Sequence, residues 1–164
     1  MAPLVVTTLS ACSTITTQQY DAIAEVFYFW QVEYALDPEQ RRVRYEKFSA
    51  TSLVNQNGDR PDGAVTGPDD QGLWWPALPP RPTVDQMEER QEERREKIGT
   101  PQLIKRVDYE ITFEDNGQMK TLPTSYAVYR QAVKARRDGI PLELTIGGND
   151  RFVSKVEPLG ASDF

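Results

Sequence analysis

The side chains in this chain of 164 residues that could act as acids or bases are mainly carboxylates. Histidine is absent and Cys12 is the sole cysteine, which excludes the commonest general base and any zinc site built from several thiolates. A glycine-rich stretch holds Asp59, Asp62, Asp69 and Asp70. Two carboxylates can hydrolyse a glycosidic bond when a rigid scaffold fixes their separation, which a loop does not do. A small hydrolase using paired carboxylates is therefore an alternative function, and we assign no catalytic residue.

The same stretch, residues 55–72, also bears on metal binding. Its carboxylate and carbonyl oxygens are the ligands that Ca²⁺ prefers, but their spacing departs from the EF-hand pattern. A calcium-binding module is the second alternative function. We expect a solvated loop here, with no metal site and no cofactor.

Residues 73–82 combine two tryptophans with four prolines. Such a run favours polyproline II backbone, and its PxxP spacing is typical of segments that dock on aromatic grooves. We predict that the segment binds a protein partner, through the residues Trp74, Trp75, Pro76, Pro79, Pro80 and Arg81. The other interpretation is that both tryptophans pack across a sheet while the prolines carry the chain around its edge.

A two-residue alternation runs from Val26 to Leu36, with aromatic or aliphatic side chains at every even position. This pattern predicts a strand with one buried face, which includes Trp30 and Tyr34. A turn at residues 37–40 and a return strand from Arg42 would complete a hairpin. The alternative is an amphipathic helix that ends near Leu36, because several of the same residues also lie at helical spacings.

Helices are predicted at two further places. Thr83 and Gln86 have the form of a capping box, which would start an exposed, charged helix that runs to about Lys97. A second, packed helix should be capped by Thr124 or Ser125 and end at Asp138-Gly139. Strands and hairpin turns are predicted around it, over the ranges 107–122 and 142–157.

These elements predict an α+β fold that is mainly an antiparallel β-sheet built from hairpins, with one packed helix, one exposed charged helix and long loops. We expect two regions. Residues 1–19 are a segment that is signal-like or disordered, and residues 20–164 are a single α+β domain. A Pro/Gly-rich loop and the charged helix occupy residues 55–101 of that domain.

Residues 1–20 carry no charged side chain, although charged residues make up 27% of the chain. Within them stands Leu9-Ser10-Ala11-Cys12, which resembles a bacterial lipobox, where cleavage precedes the cysteine and its sulfur receives a lipid. The resemblance implies lipid attachment at Cys12. It also implies an extracytoplasmic protein that is anchored to a membrane, in the bacterial periplasm or an equivalent lumen.

The net charge of −6 bears on partners, since an acidic chain without a basic stripe is repelled by nucleic acids and by anionic lipid. We therefore expect a protein partner, no nucleic acid, and membrane contact through the lipid anchor alone. The function that we predict is that of a non-catalytic, membrane-anchored accessory or binding protein that acts through protein–protein contacts. No sequence pattern indicates an oligomeric state.

Overall fold

The structure, a computed structural model, describes residues 12–37 and 42–160. In chain order its elements are β1 (Ser13–Thr17), β2 (Tyr20–Asp37), β3 (Arg42–Gln56), α1 (Val84–Glu89), β4 (Lys97–Ile98), β5 (Gln102–Asp115), β6 (Gln118–Thr124), α2 (Tyr126–Arg137), β7 (Leu142–Gly147) and β8 (Phe152–Pro158). Strands dominate and pair mainly antiparallel, which confirms the α+β class. The chain forms two compact units: unit 1 holds the described residues up to Ile23 and from Tyr109 onward, and unit 2 is Ala24–Asp108.

Unit 1 is a sheet in the order β1-β7-β8-β6-β5-β2, which carries α2. The strands β5 and β6 pair antiparallel across a turn in which Asn116 and Gly117 both have positive φ. The helix α2 begins after Ser125, whose hydroxyl accepts a hydrogen bond from the amide of Val128. Its apolar stripe is buried and contacts β8, because side chains three and four residues apart share one face of a helix. The buried residues of the stripe are Val128, Tyr129, Ala132, Val133 and Ala135.

The strand β1 lies within the segment that the sequence sets apart as residues 1–19. Residues 13–17 pair antiparallel with β7, from Ser13 opposite Ile146 to Thr17 opposite Leu142. Ser, Thr and Ile suit a pleated edge strand, which is why a charge-free segment can join the sheet. The folded chain therefore starts no later than Ser13, while Leu9, Ser10 and Ala11 of the lipobox-like pattern lie outside the described residues.

Unit 2 is built on β2, which is a strand over its whole length, so that the helical alternative for residues 26–36 is wrong. The sheet order here is β5-β2-β3, and β4 also pairs with β2. The even-numbered side chains Val26, Tyr28, Val32 and Tyr34 are buried, as the alternation predicts, whereas Trp30 is half-buried. Pro38, Glu39 and Gln40 of the predicted turn lie outside the described residues.

The helix α1 is shorter than predicted, because it ends at Glu89 and not near Lys97. Its start agrees with the capping box: the Thr83 hydroxyl accepts from the amide of Gln86, and the Gln86 side chain accepts from the amide of Thr83. Beyond Arg90 the chain turns, and Lys97 and Ile98 form β4 against β2. The cause lies in the buried carboxylate of Glu96, which is described below.

We expect Val32→Ala to lower the free energy of unfolding by about 2 kcal/mol. The Val32 side chain is fully buried, so removing its methyl groups leaves a cavity in the core. The matched control is Glu33→Ala, on the opposite, exposed face of the same strand, which should change stability by less than about 0.5 kcal/mol. Urea unfolding of the two variants measures both values. Equal losses at the two positions would contradict the alternation of buried and exposed faces in β2.

Candidate functional site

The segment 57–83 lies across unit 2 without a helix and with only isolated β-bridges, so that side chains must hold its backbone. Asp69 is the main such side chain. Its Oδ1 accepts hydrogen bonds from the amides of Gln71 and Leu73, both at 2.9 Å, and its Oδ2 accepts from Trp75 Nε1 at 2.8 Å. A carboxylate that accepts several N–H groups is held by charge-assisted hydrogen bonds. Asp69 therefore fixes the loop that leads into the tryptophans.

Trp75 is buried and packs on the inward face of β2. Its ring lies 4.8 Å from the ring of Tyr28, measured between centroids, in a tilted arrangement that aromatic pairs favour. The Lys105 ammonium lies 5.2 Å from the Trp75 centroid, at cation–π range. Trp75 is thus a core residue of unit 2, in agreement with the packing interpretation of this tryptophan.

Trp74 is half-buried and is fixed through its backbone by Asn55, which is fully buried. The Asn55 amide donates to the Trp74 carbonyl at 3.0 Å and accepts from the Trp74 N–H at 2.8 Å, so both of its polar ends are satisfied. Gly67 passes against the same backbone. Any Cβ there would lie 2.9 Å from the carbonyl oxygen of Leu73, which only glycine avoids.

The proline run shows a burial period of three residues. Pro76, Pro79 and Pro82 are buried, and the residues between them are exposed: Ala77, Leu78, Pro80 and Arg81. A polyproline II helix has three residues per turn, so one of its edges faces the protein while the other two face outward. Two hydrogen bonds attach this ridge to the sheet: Trp30 Nε1 donates to the Pro79 carbonyl at 2.9 Å, and Thr51 Oγ1 donates to the Ala77 carbonyl at 2.7 Å.

The outward side of this ridge presents apolar surface. Leu78 is 61% exposed, and the neighbouring Val65 and Val84 are exposed to a similar degree. Val65 belongs to the same place because its amide donates to the Trp75 carbonyl at 2.9 Å. The Arg81 guanidinium lies 5.6 Å from the ring of Trp30 and is exposed. We call the exposed residues of this region the ridge surface: Val65, Ala77, Leu78, Pro80, Arg81 and Val84.

The six residues predicted to bind a partner are thus divided by the structure. Trp75, Pro76 and Pro79 are buried, Trp74 is half-buried, and Pro80 and Arg81 are exposed. The sequence did not single out Leu78, although a period of three in the prolines would have pointed to it. The partner-binding role of the six residues remains a prediction.

An ion pair between Arg44 and the buried Glu96 holds the chain just after α1. Glu96 is 8% exposed and accepts from Arg44 through both oxygens, at 2.9 Å from Nε and 3.1 Å from Nη2. Glu96 Oε1 also accepts the backbone amides of Glu92 at 2.7 Å and Glu93 at 2.9 Å. A continuing helix would need those two amides for its own bonds, so this carboxylate ends α1 early.

Arg44 connects this turn to the sheet. Its guanidinium lies 4.2 Å from the centroid of Tyr34, donates to Glu46 Oε1 at 2.7 Å and donates to the Arg90 carbonyl at 2.7 Å. The hydrogen bond from Arg44 holds the pKa of Glu96 below its ordinary value, against the burial that would raise it. Arg44 and Glu96 were both missed from the sequence, because nothing in a run of alternating charges indicates which carboxylate is buried.

The alternative functions rest on the loop aspartates. Asp59, Asp62 and Asp70 are exposed, and Asp69 is occupied by the hydrogen bonds given above. Within residues 12–37 and 42–160, no three histidine, cysteine, aspartate or glutamate side chains are grouped as metal ligands would be. Asp69, the half-buried member of this group, contacts Trp75 as a hydrogen-bond acceptor that holds the loop.

Comparisons with models of protein families, with curated proteins and with solved structures gave no match for this chain. In the part of the chain that the structure describes, no helix is long and apolar enough to cross a membrane.

The Arg44–Glu96 pair predicts a pH dependence of stability. Because the folded-state pKa of Glu96 lies below its ordinary value of 4.5, its contribution is complete above that value and is lost as pH falls through the folded-state pKa. We therefore expect Glu96→Gln to be less stable than the parent at pH 7, with a difference that shrinks as the pH falls below 4.5.

Urea unfolding at a series of pH values gives this difference directly, because other titrating groups cancel between the two proteins. Glu89→Gln, an exposed position in α1, is the matched control and should follow the parent at every pH. A difference between parent and Glu96→Gln that stays constant from pH 7 to pH 3 would contradict the assignment.

Proposed function

We propose that this protein is a non-catalytic accessory or binding protein, anchored by a lipid on Cys12 at the extracytoplasmic side of a membrane. It binds a protein partner through the ridge surface. The observation that carries the proposal is the burial period of three in residues 76–82, which fixes one edge of a stiff backbone and presents the others to solvent.

Preorganisation supports the ridge surface as a binding site. Binding costs free energy when backbone and side chains lose freedom, and a proline-rich segment that is already attached to the sheet has little freedom left to lose. The bonds from Trp30 and Thr51 hold its backbone in place before a partner arrives. Leu78 and Pro80 supply apolar contact, and Arg81 supplies a planar cation.

The chemistry of the ridge indicates the kind of partner. Polyproline II segments are recognised by grooves lined with aromatic side chains, between which proline and aliphatic side chains insert. Arg81 would pair with a carboxylate at the edge of such a groove. Basic groups of the partner would meet the exposed acids of α1, at Asp85, Glu88 and Glu89, so that charge fixes the direction in which the ridge docks.

The proposed anchor rests on the position of Cys12. Its thiol is exposed, and Ser13, the next residue, pairs in β1, so that the sulfur lies beside the first strand that the structure describes. A lipid there is close to the sheet of unit 1, without an intervening linker. The lack of histidine and the occupation of Asp69 support a role by contact and not by turnover.

We expect Leu78→Asp combined with Arg81→Glu to abolish capture of the partner while the fold is retained, because both side chains are exposed and neither supports the core. The measurement is affinity purification of the full-length protein from membranes, with circular dichroism of the variant. Val54→Asp, an exposed apolar position on β3, is the matched control and should keep the partner.

The buried half of the segment gives a contrasting variant. Trp75→Ala should lower the free energy of unfolding by about 3 kcal/mol, because it removes a large core side chain.

If the double variant at Leu78 and Arg81 keeps the partner as well as the parent does, the contact surface lies elsewhere on the chain.

We expect Cys12→Ala to move the protein from the membrane fraction to the soluble fraction, because it removes the sulfur that would carry the lipid. Cells that produce the natural full-length precursor and the variant are fractionated side by side. A mass increase at Cys12 in the parent, found by mass spectrometry, accompanies the expected result. Equal distribution of the two proteins between the fractions would exclude the anchor.

A further inference from the structure

A cavity of about 380 Å³ lies on the sheet of unit 1, remote in sequence from the ridge surface. Its apolar walls come from four different strands: Ile15 of β1, Phe113 of β5, Leu122 of β6 and Ile146 of β7. A site formed by strands is fixed by their pairing, and small-molecule sites in proteins typically measure about 300–1,000 Å³. The cavity is therefore large enough, and rigid enough, for a small apolar ligand.

The polar side chains that line the cavity lie at or near the ends of strands, and we call them its polar rim. Asp115 and Lys120 flank the β5–β6 turn, and Asp150 lies in the β7–β8 turn. The Lys120 ammonium pairs with Asp115 Oδ2 at 2.7 Å, so these two charges offset each other. Asp150 Oδ1 accepts from the hydroxyl of Ser13 at 3.3 Å, which leaves its negative charge uncompensated by that contact. The polar rim thus carries one excess negative charge.

We propose that this cavity binds a single alkyl chain whose head group is uncharged or cationic. The chain fills the apolar part between Ile15, Phe113 and Leu122, since burial of each methylene from water is worth about 0.8 kcal/mol. The head group lies at the polar rim, where Asp150 attracts a cation or a hydroxyl donor and repels a carboxylate. Among amphiphiles of equal chain length, a fatty acid should therefore bind with the lowest affinity, because its carboxylate would face Asp150.

Two sources supply such a chain. One is a free amphiphile, and the other is an acyl chain of the lipid proposed at Cys12, which is adjacent in sequence to the rim residue Ser13. The cavity proposal does not depend on the anchor, because free amphiphiles test it in a protein that carries no lipid.

The test is isothermal titration calorimetry of the full-length Cys12→Ser protein with 1-decanol, decyltrimethylammonium and decanoate, each below its micelle-forming concentration. We expect saturable binding of the first two, and decanoate weaker by about fivefold or more because of Asp150. Asp150→Asn should remove most of this discrimination. Absence of saturable binding, or preference for decanoate, would overturn the proposal.

Filling the cavity locates the binding. Leu122→Trp should weaken decanol binding by about tenfold or more, because the larger ring occupies the space of the chain. Met119→Trp is the matched control on the opposite face of the same strand, exposed to solvent, and should change affinity by less than about twofold. Ile15→Phe fills the same space from another strand if Leu122→Trp does not fold. Equal effects of Met119→Trp and the filling variants would also overturn the proposal.

Comparing decanol binding by the parent and by Cys12→Ser identifies the source of the alkyl chain. Weaker decanol binding by a lipidated parent means that its own acyl chain occupies the cavity, and equal binding means that the ligand is a free amphiphile. Mass spectrometry of Cys12 reports separately on the anchor, so failure of the anchor and failure of the cavity are distinguishable.

Discussion

In unit 2 the irregular segment 57–83 covers the sheet, and the unit depends on hydrogen-bond partners for the backbone of that segment. Backbone N–H and C=O groups that leave water need partners, and a segment without helix or extended pairing has few of its own. Asn55, Asp69 and Glu96 provide them, since each is wholly or partly buried and each accepts backbone amides. Replacing any of the three by an apolar side chain would leave those amides unsatisfied, which costs about 1–3 kcal/mol for each buried group. Polar side chains therefore fix the backbone of this segment, and Trp75 and the buried prolines supply its apolar packing.

This arrangement explains why proline suits residues 76–82. Proline lacks the N–H that a segment lying across a sheet would otherwise have to satisfy, and its fixed φ holds the extended backbone. The carbonyls of Ala77 and Pro79 still need donors, which Thr51 and Trp30 supply. The same stiffness that allows inward packing of every third residue leaves the others in fixed outward positions. Core packing and presentation to a partner are thus compatible within one segment, and the two interpretations of it do not exclude each other.

The features that could be predicted from the sequence are those that depend on short-range periodicity. The alternation in β2, the capping box of α1 and the class of fold follow from neighbours two to four residues apart. Prediction failed where a distant partner decides: α1 ends early because Arg44, some fifty residues away in sequence, buries Glu96. Likewise, β1 joins the sheet because β7 offers it an edge, although its sequence resembles a leader. The cavity of unit 1 combines four strands, so no local pattern contains it.

Cations on aromatic rings explain how a chain with only 38% hydrophobic residues covers its sheet. Arg44 lies over Tyr34, Lys47 over Phe29 and Arg106 over Phe27, each within 4.6 Å of the ring centroid. Long basic side chains can cover apolar surface with their methylene stems while the charge stays in water. Basic groups are thereby committed to the protein's own aromatic rings and are spread over both faces of β2. A partner that needs a continuous basic stripe, as a nucleic acid does, would have to displace these contacts.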